Sequence, residues 1–168
     1  MKDRQAVKKS AGASGKMSWN LLAATVFGLG MAPAAPGTVA TLFAGVPCFL
    51  AVGGLPWIFQ ALLAAVIFAL GCRVSTKAEI ELQKPDAQQI VIDELCGFLI
   101  AMVGHPVGFV SISAGFVLFR IFDIWKPWPV CRFQEELTGG LGVMMDDVGA
   151  GIYANLAGLV ILRALGMF

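Results

Sequence analysis

Five stretches of this chain are apolar along their whole length and almost free of charge: Val39 to Val52, Leu55 to Cys72, Ile90 to Val103, Val107 to Phe122 and Val148 to Leu165. A helix in contact with water keeps one polar face, whereas a helix apolar all round must be buried in protein or in lipid. With 58% of its 168 residues apolar and 14% charged, the chain has more apolar surface than a water-soluble core of this size can hide. The sequence therefore predicts an all-α, multi-pass helical membrane protein. Several stretches fall short of the roughly 20 residues a perpendicular span needs, so short or partial spans are expected. No polar linker divides residues 19–168, which read as one helical domain behind a flexible basic tail over residues 1–18.

Charge orients these helices. Lys2, Arg4, Lys8, Lys9 and Lys16 crowd the N-terminus, where Asp3 is the only acid. The connections at Gly53-Gly54 and Gly104-His105-Pro106 carry no Lys or Arg, whereas Arg73 to Asp86 and Arg120 to Asp147 hold most of the internal charge. Positive-inside bias puts the tail and the charged connections in the cytoplasm and the C-terminus outside. On that topology Gly37-Thr38, Asp93-Glu94, Arg120 to Lys126 and Asp146-Asp147 gather at one face, a polar site at the cytoplasmic side. The apolar run from Trp19 leads into a Gly/Pro-rich motif with no clear cleavage site, so it is expected to stay in the mature protein. Cys48, Cys72, Cys96 and Cys131 lack metal or redox spacing and read as free thiols. The lone His105 sits in a connection on the opposite face and is a poor candidate for acid–base work.

The acids carry the chemistry. Asp93 and Glu94 sit inside Ile-Val-Ile-Asp-Glu-Leu-Cys-Gly-Phe, Asp123 inside Phe-Arg-Ile-Phe-Asp-Ile-Trp, and Asp146-Asp147 are read as opening the last apolar helix. One charge at a helix centre in lipid costs about 3 kcal/mol even on the lenient insertion scale, so these groups need compensation. Helix capping could explain Asp146 and Asp147, and ion pairs with Arg73 or Arg120 could explain Asp93 and Glu94. A single cation would answer for all of them. Oxygen donors without paired thiolates or histidines select magnesium or manganese.

Arg120, Asp123 and Lys126 are three residues apart, which places them along one helix face if the helix reaches Trp125, with Pro127 ending it. That face could hold a phosphate, Arg120 gripping two oxygens and Lys126 adding a point charge. A salt-bridge network between interfacial Trp125 and Trp128 would use the same residues, and Arg132 reads as a lipid-headgroup contact. Gly28-Leu-Gly-Met-Ala-Pro begins like a dinucleotide loop, but Pro33 replaces the third glycine and no strand precedes it. Pro36-Gly37-Thr38 instead opens an apolar helix, where backbone donors and a hydroxyl can receive an anion or simply cap the turn.

Taken in order, Gly28 to Thr38, Val-Ile-Asp-Glu-x-x-Gly at Val91 to Gly97, Phe-Arg-x-Phe-Asp-x-x-Lys-Pro-x-Pro, and Gly-Gly with Met-x-Asp-Asp and Ala-Gly over Gly139 to Gly151 resemble the phosphatidylglycerophosphatase A family. The resemblance covers nearly everything after the tail. It implies a magnesium-dependent enzyme of the bacterial inner membrane that takes phosphatidylglycerophosphate to phosphatidylglycerol and phosphate. It also implies Asp93, Glu94, Asp123, Asp146 and Asp147 as the metal and catalytic set, with Arg120 and Lys126 on the phosphate. The chain departs from the family pattern at Ala40 and around Lys84-Pro85-Asp86, which leaves Asp86 a secondary candidate.

The chemistry expected is in-line attack of water on phosphorus, with Asp147 or Glu94 accepting the proton. A phosphocysteine route has no Cys-x5-Arg, and an aspartyl-phosphate route has no Asp-x-Asp. An ion-coupled transporter or a structural membrane protein are the competing classes; the first would place its acids at midplane between repeats, and the second gives no reason for them. Besides the lipid substrate, membrane lipids are the partners expected. The short basic tail gives no case for nucleic acid.

Overall fold

The computed structural model describes residues 17–132 and 137–167, so most of the basic tail lies outside the described residues. Within them the chain is helical throughout, with no strand. The α-helices that position the site follow in order: α1 (Trp19–Ala24), α2 (Pro36–Val52), α3 (Trp57–Leu82), α4 (Ile92–Met102), α5 (Phe109–Trp125) and α6 (Gly140–Ala164). From α2 onward they run alternately up and down. The loop at Gly53 meets the loop at Gly104, where Gln60 accepts from the Gly104 N–H at 3.0 Å and donates to the carbonyls of Gly53 and Leu55. In surroundings this apolar, such a side chain replaces the water that would otherwise satisfy loop backbone.

α4 is the centre of the bundle. Its residues Cys96, Phe98, Ala101 and Met102 are fully buried, and α2, α3, α5 and α6 all pack on it. The contact with α6 is backbone to backbone. A Cβ on Gly151 would sit 2.4 Å from the Gly97 carbonyl oxygen, and one on Gly97 would sit 2.6 Å from that of Asp147. Small residues are how helices approach closely when lipid removes the hydrophobic drive to associate. Asn155 of α6 then spans the C-terminal carbonyls of α4, donating toward Ile100, Ala101 and Val103 at 2.9–3.3 Å. Gly151→Ala should part the two helices and lower Tm in detergent, at a cost of about 1–3 kcal/mol from overpacking. An unchanged melting curve would contradict this close approach.

Several boundaries differ from the sequence reading, each for a local reason. α3 continues ten residues past Cys72, because Arg73 to Leu82 is rich in good helix formers and Ser75 and Ala78 stay buried; Gln83 ends it with φ 52°. α6 begins at Gly140, eight residues before Val148, since Gly140 fits against the Cys72 carbonyl and its N–H donates to the Thr76 hydroxyl oxygen at 2.9 Å. Asp146 and Asp147 therefore lie about two turns inside α6 and cap nothing. α2 is continuous but widens to a π turn at Thr41–Gly45, just before Pro47, whose ring nitrogen cannot donate to the preceding turn. His105 does lie in a connection, but it is 3% exposed and lodged against Gly158, with burial lowering its pKa.

α3 and α6 are long and apolar enough to cross a membrane. Large apolar side chains also face outward on every long helix, among them Phe43, Phe59, Leu62, Val117, Leu156 and Val160, each more than half exposed.

Candidate functional site

At one end of the bundle a cavity of about 490 Å³ opens between the start of α2, the loop before α4, the end of α5 and the first turns of α6. The ups and downs of the chain carry to this end nearly every polar group the sequence singled out. Gly37, Asp93, Glu94, Arg120, Asp123, Lys126, Asp146 and Asp147 all line the cavity. Thr38 does not: one residue further round the helix, it is absent from the lining.

Asp93, Glu94 and Asp147 form the inner group. Each offers a carboxylate oxygen within 4.8 Å of the other two. Asp93 Oδ1, Glu94 Oε2, Asp146 Oδ1 and Asp147 Oδ2 are buried and have no hydrogen-bond partner among the described residues. Two carboxylates at that separation repel by about 3.5 kcal/mol or more at an effective dielectric of 20, so three together are not stable as bare anions. Buried polar atoms are nearly always satisfied, and four orphaned oxygens facing one cavity call for a ligand. Magnesium takes oxygens at about 2.1 Å in an octahedron, which sets adjacent donors about 3 Å apart and opposite ones about 4 Å apart. Three carboxylate oxygens within 4.8 Å of one another, without thiolate or imidazole, are a donor set that suits such a hard cation.

Two cations stand on the outer side. Arg120 pairs with Asp123 at 2.9 Å, one turn along α5, and Lys126 Nζ lies 2.6 Å from Asp146 Oδ2. α5 does reach Trp125, and Lys126 ends it in the left-handed region at φ 44°, which turns its side chain toward α6. Burial works against the Lys126 charge, but the hydrogen bond and charge of Asp146, backed by Asp147 and Asp123, outweigh it and raise the pKa. Neither Arg73 nor Arg120 neutralises Asp93 or Glu94 through an ion pair among the described residues. Counting Asp86, six carboxylates face two cations across the cavity, a formal charge of −4. Lys126→Met strands Asp146, 3% exposed, without its partner; a loss of about 1–3 kcal/mol is expected in thermal unfolding. A melting curve like that of the unmodified chain would mean the pair contributes nothing.

Glycines set the walls. A Cβ on Gly37 would lie 2.0 Å from Glu94 Oε1, so the start of α2 is shaped around that carboxylate. One on Gly30 would lie 1.9 Å from the Gln89 carbonyl, which seats the Gly-rich loop against the segment leading into α4. Gln88 and Gln89 also line the cavity, and Gln89 Oε1 is a further buried, unpartnered oxygen. The sequence reading passed over both, although an amide pair just before Asp93-Glu94 was a visible signal.

The family model described as Phosphatidylglycerophosphatase A matches residues 22–162. The chain belongs to the phosphatidylglycerophosphatase A family. Phosphatidylglycerophosphatase A of Escherichia coli strain K12 is 37% identical over 140 residues, 82% of this chain and 80% of that protein. The Haemophilus influenzae protein of the same name is 37% identical over 134 residues, covering 79% and 82%. A Bacteroides thetaiotaomicron protein, provisionally named a phosphatidylinositol-3-phosphatase, is 39% identical over 142 residues, covering 80% and 87%. No solved structure matches. The family is one of phosphoric monoester hydrolases, and the match covers α2 to α6, where every residue of the cavity from Pro36 to Asp147 lies.

Proposed function

We propose that this chain is a magnesium-dependent phosphatidylglycerophosphate phosphatase, releasing the terminal phosphate to leave phosphatidylglycerol. The observation that carries the reading is the trio Asp93, Glu94 and Asp147: each with a buried, unpartnered carboxylate oxygen, mutually within 4.8 Å, and set beside Arg120 and Lys126 at one end of an apolar bundle. The family relatives named for this lipid supply the substrate.

Asp93, Glu94 and Asp147 would hold magnesium, with Asp123 and Asp146 within the same cavity as further donors. The bound ion supplies Lewis acidity at phosphorus and offsets a cavity that is otherwise too negative for a phosphate to enter. Arg120 takes two phosphoryl oxygens with its planar fork, held at the right angle by Asp123 one turn away. Lys126, anchored by Asp146, adds a point charge on the same side. Glu94 or Asp147 accepts the proton of the attacking water. Gly37 shapes the wall behind Glu94.

The bundle is read as crossing the bacterial inner membrane several times with the cavity at the cytoplasmic face. Lys77, Lys84, Arg120, Lys126 and Arg132 sit toward the cavity end, whereas the loops at Gly53 and Gly104 carry no Lys or Arg. A transporter would keep its acids at midplane; here they gather in one cavity at one end of the bundle, which favours hydrolysis. The test is inorganic phosphate released from phosphatidylglycerophosphate by purified protein in detergent, run beside phosphatidylinositol 3-phosphate. Release from the first that stops with chelator and returns with magnesium supports the reading. Equal turnover of both would broaden the substrate, and turnover of neither would remove it.

A further inference from the structure

The cavity accounts for a phosphate and a cation, but a lipid also has chains. α2 and α5 both lean on α4 and leave between them an apolar groove of about 470 Å³. Its walls are helical stripes: Leu42, Val46 and Leu50 on α2, facing Phe109, Ile112 and Phe116 on α5. Ser113 is the one polar residue in the lining. Between the two helices Phe98 of α4 packs against Gly45 of α2 and makes an edge-on contact with Phe119 of α5 at 6.3 Å.

The same two helices bring the groove to the cavity. Gly37 and Leu50 are thirteen residues apart on α2, and Arg120 and Phe109 eleven apart on α5, or about 20 Å and about 16 Å at 1.5 Å per residue. One leaflet of a bilayer offers about 15 Å of hydrocarbon. The groove itself starts at Leu42, five residues past Gly37, and at Val117, about one turn before Arg120, so it opens close to the residues proposed to grip the phosphate and ends at one-leaflet depth in the apolar belt. We infer that it holds one acyl chain of the phosphorylated lipid while the headgroup lies in the carboxylate cavity. This rests on the phosphatase reading and adds to it the seat of the chain.

A second hollow of about 480 Å³ lies among α3, α4 and α6, lined by Ala64, Ala65, Phe68, Ile100 and Ile152. It shares α4 and α6 with the carboxylate cavity but has no wall from α2 or α5, the helices that carry Gly37 and Arg120 to the phosphate. It serves as the internal control.

Since the chain leaves one apolar medium for another, the groove contributes little transfer energy. Its effect is alignment of the phosphate, and misalignment on the scale of 1 Å can cost about a hundredfold in rate. Ser113→Trp, which fills the groove, should lower kcat/KM for the diacyl phosphomonoester at least tenfold and leave the deacylated headgroup phosphomonoester within twofold. Ala65→Trp, in the control hollow, should change neither. Unchanged diacyl turnover in Ser113→Trp, or a loss in Ala65→Trp alone, overturns the assignment.

Crosslinking decides the case where a variant fails to fold or the wild type hydrolyses neither compound. A diacyl lipid phosphomonoester with a photoreactive group midway along its chain is mixed with the wild-type protein in micelles, and labelled peptides are mapped. Labelling concentrated on α2 and α5 and displaced by unlabelled lipid phosphomonoester supports the groove; labelling of the hollow on α3 and α6, or evenly around the belt, overturns it. Loss of hydrolysis with groove labelling intact would count against the phosphatase reading alone.

Discussion

Asp147→Asn should abolish phosphate release, lowering kcat by about a thousandfold or more, while the protein without magnesium becomes more stable. Both effects come from the same geometry. Asp147 sits 4% exposed on α6, with an oxygen within 4.8 Å of oxygens from Asp93 and Glu94, and its Oδ2 has no hydrogen-bond partner among the described residues. In the absence of a cation each close carboxylate pair is repulsive by about 3.5 kcal/mol at an effective dielectric of 20, so removing one charge relieves two such pairs. With a cation the balance reverses, because a ligand is missing. An ion that binds only the folded state at a hundredfold above its Kd stabilises by about 2.7 kcal/mol. Wild-type Tm should therefore rise with magnesium by about 5–10 °C, taking 2–4 °C per kcal/mol for a chain of this size. In Asp147→Asn that rise should vanish. A purely structural aspartate would behave the other way, its loss lowering Tm and leaving the magnesium response in place.

Gly37→Ala should cost about a hundredfold in kcat with little or no loss of stability. Gly37 has ordinary helical backbone geometry, and alanine is the better helix former by about 1 kcal/mol, so the fold has no reason to object. The obstacle is one neighbour. The new methyl would lie 2.0 Å from Glu94 Oε1, 2.8 Å from Cδ and 3.1 Å from Cγ, so the whole carboxyl group must swing away. Displacing a ligand or base by that amount is enough to disrupt catalysis without unfolding anything. Steady-state kinetics beside a melting curve separates the two quantities. Full activity would show that Glu94 has no work to do where it stands.

The helical class and the convergence of the polar motifs were legible in the sequence because both follow from coarse rules. Runs without charge must avoid water, and short uncharged connections alternate with long charged ones, so Asp93, Asp123 and Asp147 had to reach the same end once the spans were paired. What was not legible came from contacts between helices. The Arg73 to Leu82 segment reads as a charged loop in isolation, yet it continues α3 because α1 and the start of α6 pack against it, down to Ser18 hydrogen-bonded to Glu81. Asp146 and Asp147 look like a helix start until Gly140 is seen fitting against the Cys72 carbonyl, which moves the start back two turns.

The glycines tell the same story. Gly30, Gly37 and Gly97 appear in the sequence as motif letters, and only their neighbours reveal that one seats a loop, one clears Glu94 and one brings α4 against α6. Thr38 drew attention through its hydroxyl, but the helix turns it out of the lining, whereas Gln89, without an evident role in the sequence, aims a buried oxygen inward.

The most direct test titrates magnesium into purified protein in detergent and follows Tm and phosphate release from phosphatidylglycerophosphate in the same samples. One ion bound by Asp93, Glu94 and Asp147 should serve both, so the two curves should rise together with a common midpoint and both be flat in Asp147→Asn. Full phosphate release with all divalent cations chelated, or a Tm that ignores magnesium while activity climbs, would contradict the account.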